Sequence, residues 1–458
     1  MSAQMQMVLG LIIGMVLLIY LVTKTKIHVF LALIVCAVII GVIGGMNLTA
    51  ITQAIPAGFG KTLSSIGIII GFGVMLGKLL EDSKATNVMA NTFIKLLGKN
   101  KEEEALTAAG FVTSLSIFCT SGFIILAPLV KGLSKKSKKS VVALGIALAG
   151  GLVLSHSLVP PAAGPIGVAG ILGANIGKMM LFGTLISIPS AIVVVIYAKY
   201  MDNKIYQLPG EGDQAWIRPE KRLVASADST NAIDSDEKLP SALKAFAPIL
   251  VPILLILVNN ILSTVGLNNN IIGIILAFIG TPIIALAIGL LLAIIFLTNG
   301  MSKEKTLGSM EEGLKASGKL MLLVGGGGAL GAIIQNSGLG DYIASAIAST
   351  PIPAILLPFI ISLLLRVIQG SGSVAMLTAA SVTAPMITQL GLDPVFAGLA
   401  ACIGAIFFSY FNDSYFWVIN ESIGIENTKE QMRVWTVTST LCCFTSLATL
   451  LVLNAIFG

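Results

Sequence analysis

Two oppositely charged side chains interrupt apolar stretches of the sequence and are its most informative residues. Arg366 lies between Leu365 and Val367, and Asp413 lies in the segment FSYFNDS. If these stretches cross a membrane, each charge costs about 2.5–3.5 kcal/mol at the bilayer centre, so it needs a ligand or a partner. Arg366 could neutralise an anionic substrate or pair with Asp413, and the sequence leaves both open. Asp413 is the candidate proton-carrying carboxylate, because burial favours the protonated form of a carboxyl group.

Short clusters of Gly, Ser and Thr interrupt two further apolar stretches, at residues 119–122 and 369–373. Backbone that leaves the helical conformation at membrane depth has unpaired N–H and C=O groups, which are costly unless protein or trapped water pairs them. Glycine permits the turn, and hydroxyl groups can pair the backbone or bind a ligand. A kink between packed helices would have the same composition, but two clusters in matching positions favour a ligand site. The predicted substrate-binding residues of these clusters are Thr120, Ser121, Gly122, Gln369, Ser371 and Ser373.

Two spans contain helix-breaking sequences, and the first of these, residues 160–165, is PPAAGP. Proline removes a backbone donor and clashes with the preceding turn. A half-helix can restart after the break, and its free N–H groups and positive dipole end favour a carboxylate. His156 could bind substrate hydroxyls or relay a proton, although a lone histidine is often a packing residue. With the corresponding break in the second half, the predicted substrate-binding residues are His156, Pro161, Gly164, Asn412 and Ser414, next to Asp413.

The composition predicts that a membrane surrounds these sites. Of the 458 residues, 55% are hydrophobic and 11% are charged, whereas soluble domains carry about 25% charged residues. This excludes a soluble enzyme, a nucleic-acid-binding module and a disordered scaffold, and predicts an all-α polytopic protein of the cytoplasmic membrane, in contact with lipid. The formal charge of +6 reflects basic residues in short loops, as positive-inside topology requires. The five cysteines lie in apolar stretches without a CxxC pair, so neither disulfides nor a metal site nor a cofactor is predicted.

Apolar segments long enough to cross a membrane, which takes about 20 residues, occur throughout the chain. They are residues 5–22, 27–44, 63–80, 141–158, 181–199, 245–262, 271–298, 320–334, 394–411 and 434–457. The interrupted stretches 105–133 and 352–390 are predicted to be re-entrant hairpins from opposite faces, because only then do the basic loops fall in the cytoplasm. The amphipathic segments 87–98 and 303–320 are predicted to lie along the cytoplasmic surface.

The two halves of the chain resemble each other. LGKLLEDS (residues 76–83) and TSG (residues 120–122) have counterparts in LGAIIQNS and GSG about 250 positions later, in the same order. Five crossings per half would insert the second copy upside down, which is the architecture of secondary transporters with discontinuous helices. The predicted division is a first inverted repeat at 1–201, a cytoplasmic linker at 202–243 and a second repeat at 244–458. Each repeat has one re-entrant hairpin and one broken helix.

The chain resembles the gluconate permease (GntP-type) family of proton symporters, within the larger ion-transporter superfamily. The motifs that carry this resemblance are LGKLLEDS, GFIILAPL (122–129), the prolines of 159–165, LRVIQGSGSVAMLTAA (365–380) and NDSYFW (412–417). The resemblance implies proton-coupled uptake of a small hydroxylated carboxylate, a scaffold domain, a mobile transport domain with both hairpins, elevator-type motion and a homodimer. It also implies that the substrate faces Ser121, the break at 160–165, Ser371, Ser373, Asn412 and Asp413.

Two motifs depart from the gluconate-type pattern. Members of that type carry an acidic FFEVGF-like hairpin tip and the motif PPHPGP, where this chain has FCTSGF (118–123) and PPAAGP. The missing Glu and His remove two polar partners, which favours a smaller or less hydroxylated acid such as glycerate, lactate or D-serine. Sodium coupling is an alternative, because Ser, Thr and Gly oxygens could form a cage for that ion.

The leading hypothesis is a secondary active transporter, a proton symporter that imports a small hydroxylated monocarboxylate such as gluconate or glycerate. The anion would lie between the hairpin tips, with Arg366 as counter-charge and Asp413 as the proton carrier. Alternatives are a transporter of D-serine or another amino acid and a sodium-coupled carboxylate transporter. A membrane-embedded enzyme is less favoured because the sequence has no HExxH, contextual GxSxG or paired-aspartate motif. A passive channel would lack the broken-helix symmetry.

Overall fold

The computed structural model describes residues 3–97, 100–210, 216–220, 239–265, 271–337, 353–410 and 412–458. The fold is mostly helical, as the sequence predicts. The first half contains α1 (Ala3–Lys24), α2 (Val29–Ile43), α3 (Leu48–Asp82), α4 (Ala85–Leu97), α5 (Glu102–Thr113), α6 (Cys119–Ser137), α7 (Val141–Leu158), α8 (Ala163–Leu172) and α9 (Ile176–Lys204). Two short strands, β1 (Leu208–Pro209) and β2 (Trp216–Ile217), follow and pair antiparallel.

The second half begins with two bent or proline-containing helices and ends with a long one. Its helices are α10 (Ala242–Val265), α11 (Ile271–Ile279), α12 (Pro282–Leu297), α13 (Lys303–Asn336), α14 (Leu356–Gln369), α15 (Gly372–Thr383), α16 (Pro394–Gly404), α17 (Ser414–Ser422), α18 (Thr428–Gln431) and α19 (Val437–Phe457). A 3₁₀ turn at Ala384–Met386 follows α15, and a π-helical turn at Met432–Thr436 joins α18 to α19.

Within the described residues, six helical segments are long and apolar enough to cross a membrane. They are Leu48–Asp82, Val141–Leu172, Ile176–Lys204, Ala242–Asn259, Lys303–Asn336 and Thr428–Phe457. The pair α11 and α12, at the predicted span 271–298, adds a seventh if it is one span, and its axis bends by 68° between the two helices. Pro282 is the first residue of α12 and follows Gly280 and Thr281. Because proline has no backbone N–H, it cannot donate a hydrogen bond to a carbonyl group of α11, so the helix does not continue through this point. Shorter apolar helices lie at the remaining predicted spans and in the arms of the second predicted hairpin.

Rows of exposed apolar side chains mark surfaces that face lipid. On α9, Ile188, Ile192 and Ile196 are 52%, 56% and 61% exposed, and residues four apart share one face of a helix. In water such a row would be an unfavourable apolar patch. The residues of α7, in contrast, are almost all buried. α7 is therefore a central helix of the fold, and α9 lies at its lipid boundary.

The helices α3 and α13 are longer than the sequence predicts and pack closely against each other. A Cβ atom added to Gly58 of α3 would lie 2.4 Å from the carbonyl oxygen of Gly328 in α13. Near one end of this contact, Lys78 reaches Glu312 at 3.4 Å. The predicted surface helix 303–320 and the predicted span 320–334 form the single helix α13, since no Gly–Pro break separates them.

The start of the predicted solvated linker is partly buried. The Gln207 side chain is 1% exposed and its amide donates to the carbonyl oxygens of Ile423 at 2.7 Å and Gly424 at 3.1 Å. Arg218 donates to Gln207 at 2.8 Å and to both carboxylate oxygens of Glu430 at 3.0 and 2.7 Å. This segment, residues 205–218 as far as they are described, is the linker strap. It connects the end of α9 to the loop between α17 and α18.

Candidate functional site

The helices are interrupted at or directly beside the four predicted positions. Residues 119–122, predicted to be the turn of the first hairpin, form the first turn of α6, and the break lies before them, at residues 114–118. The chain leaves helical geometry between α5 and α6, between α7 and α8, at Gly370 and Ser371, and between α16 and α17. Gly370 has φ +78°, and a Cβ atom there would lie 2.2 Å from the Asn412 carbonyl oxygen, so only glycine fits. The Ser371 hydroxyl caps α15 by accepting from the Val374 N–H at 3.4 Å. Asp413 caps α17 by accepting from the Tyr415 N–H at 3.0 Å.

One cavity of about 390 Å³ lies among these interruptions. It brings together eight of the residues that the sequence singles out: Thr120, His156, Arg366, Ser371, Ser373, Asn412, Asp413 and Ser414. The cavity is therefore bordered by the first turn of α6, the end of α7, the turn before α15 and the start of α17. It is large enough to hold a small organic acid and offers hydroxyl, amide, carboxylate and guanidinium groups.

Four predicted site residues do not line this cavity: Ser121, Gly122, Pro161 and Gly164. A Cβ atom on Gly122 would lie 2.8 Å from Leu152, and one on Gly164 would lie 2.8 Å from the Met376 sulfur. These two glycines therefore permit close helix packing. Pro161 borders a separate void of about 20 Å³, which His156 also borders. The side chain of Gln369 lies outside the described part of the structure.

Arg366 and Asp413 form a buried ion pair. The Arg366 Nη2 atom lies 2.5 Å from Asp413 Oδ2, and the two side chains are 7% and 12% exposed. Arg366 also donates through Nη1 to the carbonyl oxygen of Gly370, so it ties the tip of the α14–α15 hairpin to the break before α17. Both residues therefore have charged partners in the absence of a substrate. Of the two roles that the sequence left open for Arg366, the structure has the pairing with Asp413.

A second layer of hydrogen bonds holds Asp413 in place. Ser409 donates from its hydroxyl to Asp413 Oδ2 at 2.5 Å, and the Trp435 indole N–H donates to the Ser409 hydroxyl at 2.7 Å. The neighbouring Asn412 amide donates to the Val367 carbonyl oxygen at 3.0 Å. Its Oδ1 atom is buried and accepts no hydrogen bond from the described residues. These contacts fix the carboxylate but leave one amide oxygen free to accept a donor.

One wall of the cavity is aromatic, with residues from both halves of the chain. The His156 and Phe118 ring centroids lie 5.7 Å apart, and no described residue hydrogen-bonds the imidazole. The Tyr415 hydroxyl donates to the carbonyl oxygen of Ala149 in α7 at 3.2 Å, and its ring meets Trp435 edge-on at 5.0 Å. Through Tyr415 the second broken helix is anchored directly on the central helix of the first half.

Sequence reasoning missed several residues that border the cavity, among them Lys319, Met376, Tyr415 and Trp435. Lys319 was missed because residues 303–320 were predicted to be a surface helix, whereas α13 continues past it without a break. Tyr415 lies in the NDSYFW motif, of which only the first three residues were predicted to be part of the site. Trp435 lies at the start of the last predicted span, where a tryptophan is typical of a membrane interface.

The described residues contain no group of three or more His, Cys, Asp or Glu side chains that could hold a metal ion. The five cysteines are buried and free. The polar groups around the cavity suit binding of an organic anion, with helix starts and hydroxyls as donors.

Apolar spanning helices that break around a buried polar cavity define a membrane transport protein. The fold is similar to that of Neisseria gonorrhoeae MtrF, from a class of antimetabolite efflux pumps, with a TM-score of 0.66 and 13% identity over 96% of this chain and 97% of that one. The YdaH transporter of Alcanivorax borkumensis is similar at a TM-score of 0.62 and 12% identity, covering 99% and 98% of the two chains. At these identities the likeness concerns the fold alone.

The sequence pattern of the GntP family permeases matches residues 6–456, and the chain belongs to the GntP family of permeases. It is 42% identical to an uncharacterized permease of Haemophilus influenzae over 98% of this chain and 93% of that protein. It is 30% identical to the high-affinity gluconate transporter of Escherichia coli, covering 97% and 98% of the two chains. The protein is thus a multi-pass permease of the cytoplasmic membrane and not an enzyme.

Proposed function

We propose that this permease is a secondary active transporter that imports a small hydroxylated monocarboxylate, of the size of glycerate to gluconate, together with protons. The observation that carries the proposal is the cavity at the four helix interruptions, with the Arg366–Asp413 pair on its wall. Relatives support the substrate class: two Escherichia coli proteins that are 30% identical to this chain are a gluconate transporter and an L-idonate transporter.

Two helix starts supply the donors for the carboxylate. Thr120 lies in the first turn of α6, and Ser371 caps α15; both border the cavity. The first N–H groups of a helix have no partner within it and carry its positive dipole end, so they bind anions. The hydroxyls of Ser373 and Ser414 and the free Asn412 oxygen then lie where substrate hydroxyls can contact them.

The Arg366–Asp413 pair supplies a way to couple the proton to the substrate. When the substrate carboxylate pairs with the Arg366 guanidinium, Asp413 loses its counter-ion. An uncompensated buried charge costs several kcal/mol. A proton on Asp413 removes that charge. The substrate anion then balances the Arg366 guanidinium and Asp413 is neutral, so substrate and proton bind together.

The proposal includes an architecture of two inverted repeats, 1–201 and 244–458, that move a transport domain in an elevator-type dimer. Helix interruptions in matching places of the two halves support the repeat. His156 is proposed to contact substrate hydroxyls, because its ring borders the cavity and no described residue hydrogen-bonds it. Ser121, Gly122, Pro161 and Gly164 are proposed to shape the tips and breaks by packing.

The test is uptake of labelled gluconate and glycerate into proteoliposomes with an imposed pH gradient. Inward protons are expected to drive accumulation, which a protonophore should abolish, and a sodium gradient should not replace them. Asp413→Asn is expected to abolish accumulation and to retain counterflow exchange. Failure of the pH gradient to stimulate uptake of any 2-hydroxy acid or 2-amino acid would overturn the proposal.

A further inference from the structure

The cavity has one positive charge more than the Arg366–Asp413 pair can balance. The charged residues on its wall are Arg366, Asp413 and Lys319. Arg366 and Asp413 neutralise each other at 2.5 Å, whereas no described residue forms an ion pair with Lys319. An empty site with a net charge of this sign attracts an anion.

The packing of α13 on α15 places Lys319 level with the tip of the α14–α15 hairpin. A Cβ atom on Gly167 would lie 2.5 Å from Leu377 of α15 and 2.9 Å from Val324 of α13, so these two side chains are adjacent. A Cβ atom on Gly327 would likewise lie 2.3 Å from the Ser381 hydroxyl. The two helices therefore run in the same direction here.

Four to five residues before this contact, the same register puts Lys319 of α13 level with Ser373 of α15. Each helix rises about 1.5 Å per residue, so both residues lie a similar distance along their helices from the pair Val324 and Leu377. Both line the cavity. The lysine ammonium, on a flexible four-carbon stem, can thus reach an anion held at the Ser371 helix start.

We propose that Lys319 is a specificity-determining residue that contacts the substrate carboxylate and selects anions over zwitterions. The inference rests on the proposed function, since it deepens the same site. Lys319 is exposed as well as bordering the cavity, so the ammonium attracts the anion from water and follows it into the site. A 2-amino acid brings its own ammonium group, which Lys319 repels, so a 2-hydroxy acid of the same size binds better.

The experiment compares Lys319→Gln, Lys319→Arg and wild type for transport of D-glycerate and D-serine, which differ in the 2-substituent. In Lys319→Gln, the KM for D-glycerate is expected to rise about tenfold, equivalent to about 1.4 kcal/mol. The ratio of kcat/KM for D-glycerate to that for D-serine should fall, and the KM for D-glycerate should depend less on ionic strength. Lys319→Arg should restore most of the affinity. Lys315→Gln is the matched control, because Lys315 lies one turn away on α13, is exposed and does not line the cavity.

The outcomes separate the two proposals. Wild-type protein that neither binds nor transports D-glycerate, gluconate or D-serine contradicts the proposed function. Wild-type transport of D-glycerate with an unchanged KM, preference and salt dependence in Lys319→Gln overturns the role of Lys319 alone. An equal loss in the Lys315→Gln control also overturns it, because the effect would then be a general one of surface charge.

Discussion

Arg366 and Asp413 lie 47 residues apart in the sequence and meet at 2.5 Å on the wall of the polar cavity of about 390 Å³. The pair joins the tip of one interrupted helix pair to the break before α17. It is the element through which an organic anion would compete with a protein carboxylate, and its energetics can be measured.

Removing one member of this pair should destabilise the protein more than removing both. Arg366→Gln leaves Asp413 buried and without its counter-ion, which is expected to cost about 3–5 kcal/mol. The double variant Arg366→Gln/Asp413→Asn has no charge to compensate and should recover a large part of that loss. Thermal unfolding of the purified protein in detergent measures both. A double variant less stable than Arg366→Gln would show that the pair is not the cause.

Gly370→Ala should abolish transport while the protein still inserts into the membrane. The added methyl group would collide with the Asn412 carbonyl, and the residue would be held at φ +78°, so the hairpin tip must move away from α17. Gly391→Ala is the control, because Gly391 also has positive φ, +63°, but no described atom lies within 4 Å of a Cβ atom added there. It pays only the conformational cost, about 1 kcal/mol. Equal transport in the two variants would contradict this role of the Gly370 contact.

Lys139 is expected to stabilise the base of the α5–α6 hairpin. It lies 2.5 Å from Glu103, whose side chain is 1% exposed, and 2.8 Å from Glu102. Lys139→Met should therefore destabilise the protein by about 3–5 kcal/mol, since Glu103 would stay buried and unpaired. Lys199→Met, which breaks the more exposed pair with Glu104, should cost less than about 1 kcal/mol. Equal melting temperatures for the two variants would refute the prediction.

The pH dependence of this contribution follows from the same contacts. Burial alone would lower the pKa of Lys139, but the hydrogen bonds and charges of Glu102 and Glu103 outweigh burial and raise that pKa above its ordinary value. The stabilisation is fully present below the unfolded value of about 10.4 and is lost only as pH rises through the higher folded value. The gap in melting temperature between wild type and Lys139→Met should thus stay constant from about pH 6 to 9 and close at more alkaline pH.

Opposite orientation of the two hairpins predicts opposite labelling of the segments that follow their tips. Lys135 and Thr388 are both exposed and follow the tips of the first and second predicted hairpins. In intact cells a membrane-impermeant maleimide should label Thr388→Cys and leave Lys135→Cys unlabelled until the cells are opened. The native cysteines are buried, which keeps the background low. Labelling of both positions from one side would exclude the inverted repeat.

The sequence identified site residues best where a polar residue interrupts an apolar stretch and is costly there unless it has a function or a partner. Arg366 and Asp413 are costly in an apolar stretch, and glycine is required at position 370, so composition alone marked these positions. Lys319 could not be identified in this way, because a lysine just before an apolar run is also what an interfacial helix end would have. Its role depends on α13 continuing unbroken, which is a property of packing against α3.

Packing also explains the other differences. The bend between α11 and α12 follows from Pro282, but a proline inside an apolar run is equally compatible with a kink, as in α10, which contains Pro248 and Pro252 without ending. The burial of Gln207 was not predictable, since its partners, the carbonyl groups of Ile423 and Gly424, are more than two hundred positions away. Polar composition identifies a loop but does not say which surface the loop crosses.

The linker strap has a consequence for how the two halves can be separated. Hydrogen bonding by Glu430 raises the pKa of Arg218 above its ordinary value, so the Arg218 guanidinium stays charged at any physiological pH. Trp216 lies in the same segment, and the Lys131 ammonium is 5.1 Å from the centre of its ring. A nick in the backbone between residues 221 and 238 would leave these attachments on the first polypeptide. If the two fragments are encoded separately, the hydrogen bonds of Gln207 and Arg218 to the second fragment would still join them. We therefore expect the fragments to reassemble in the membrane into a working permease.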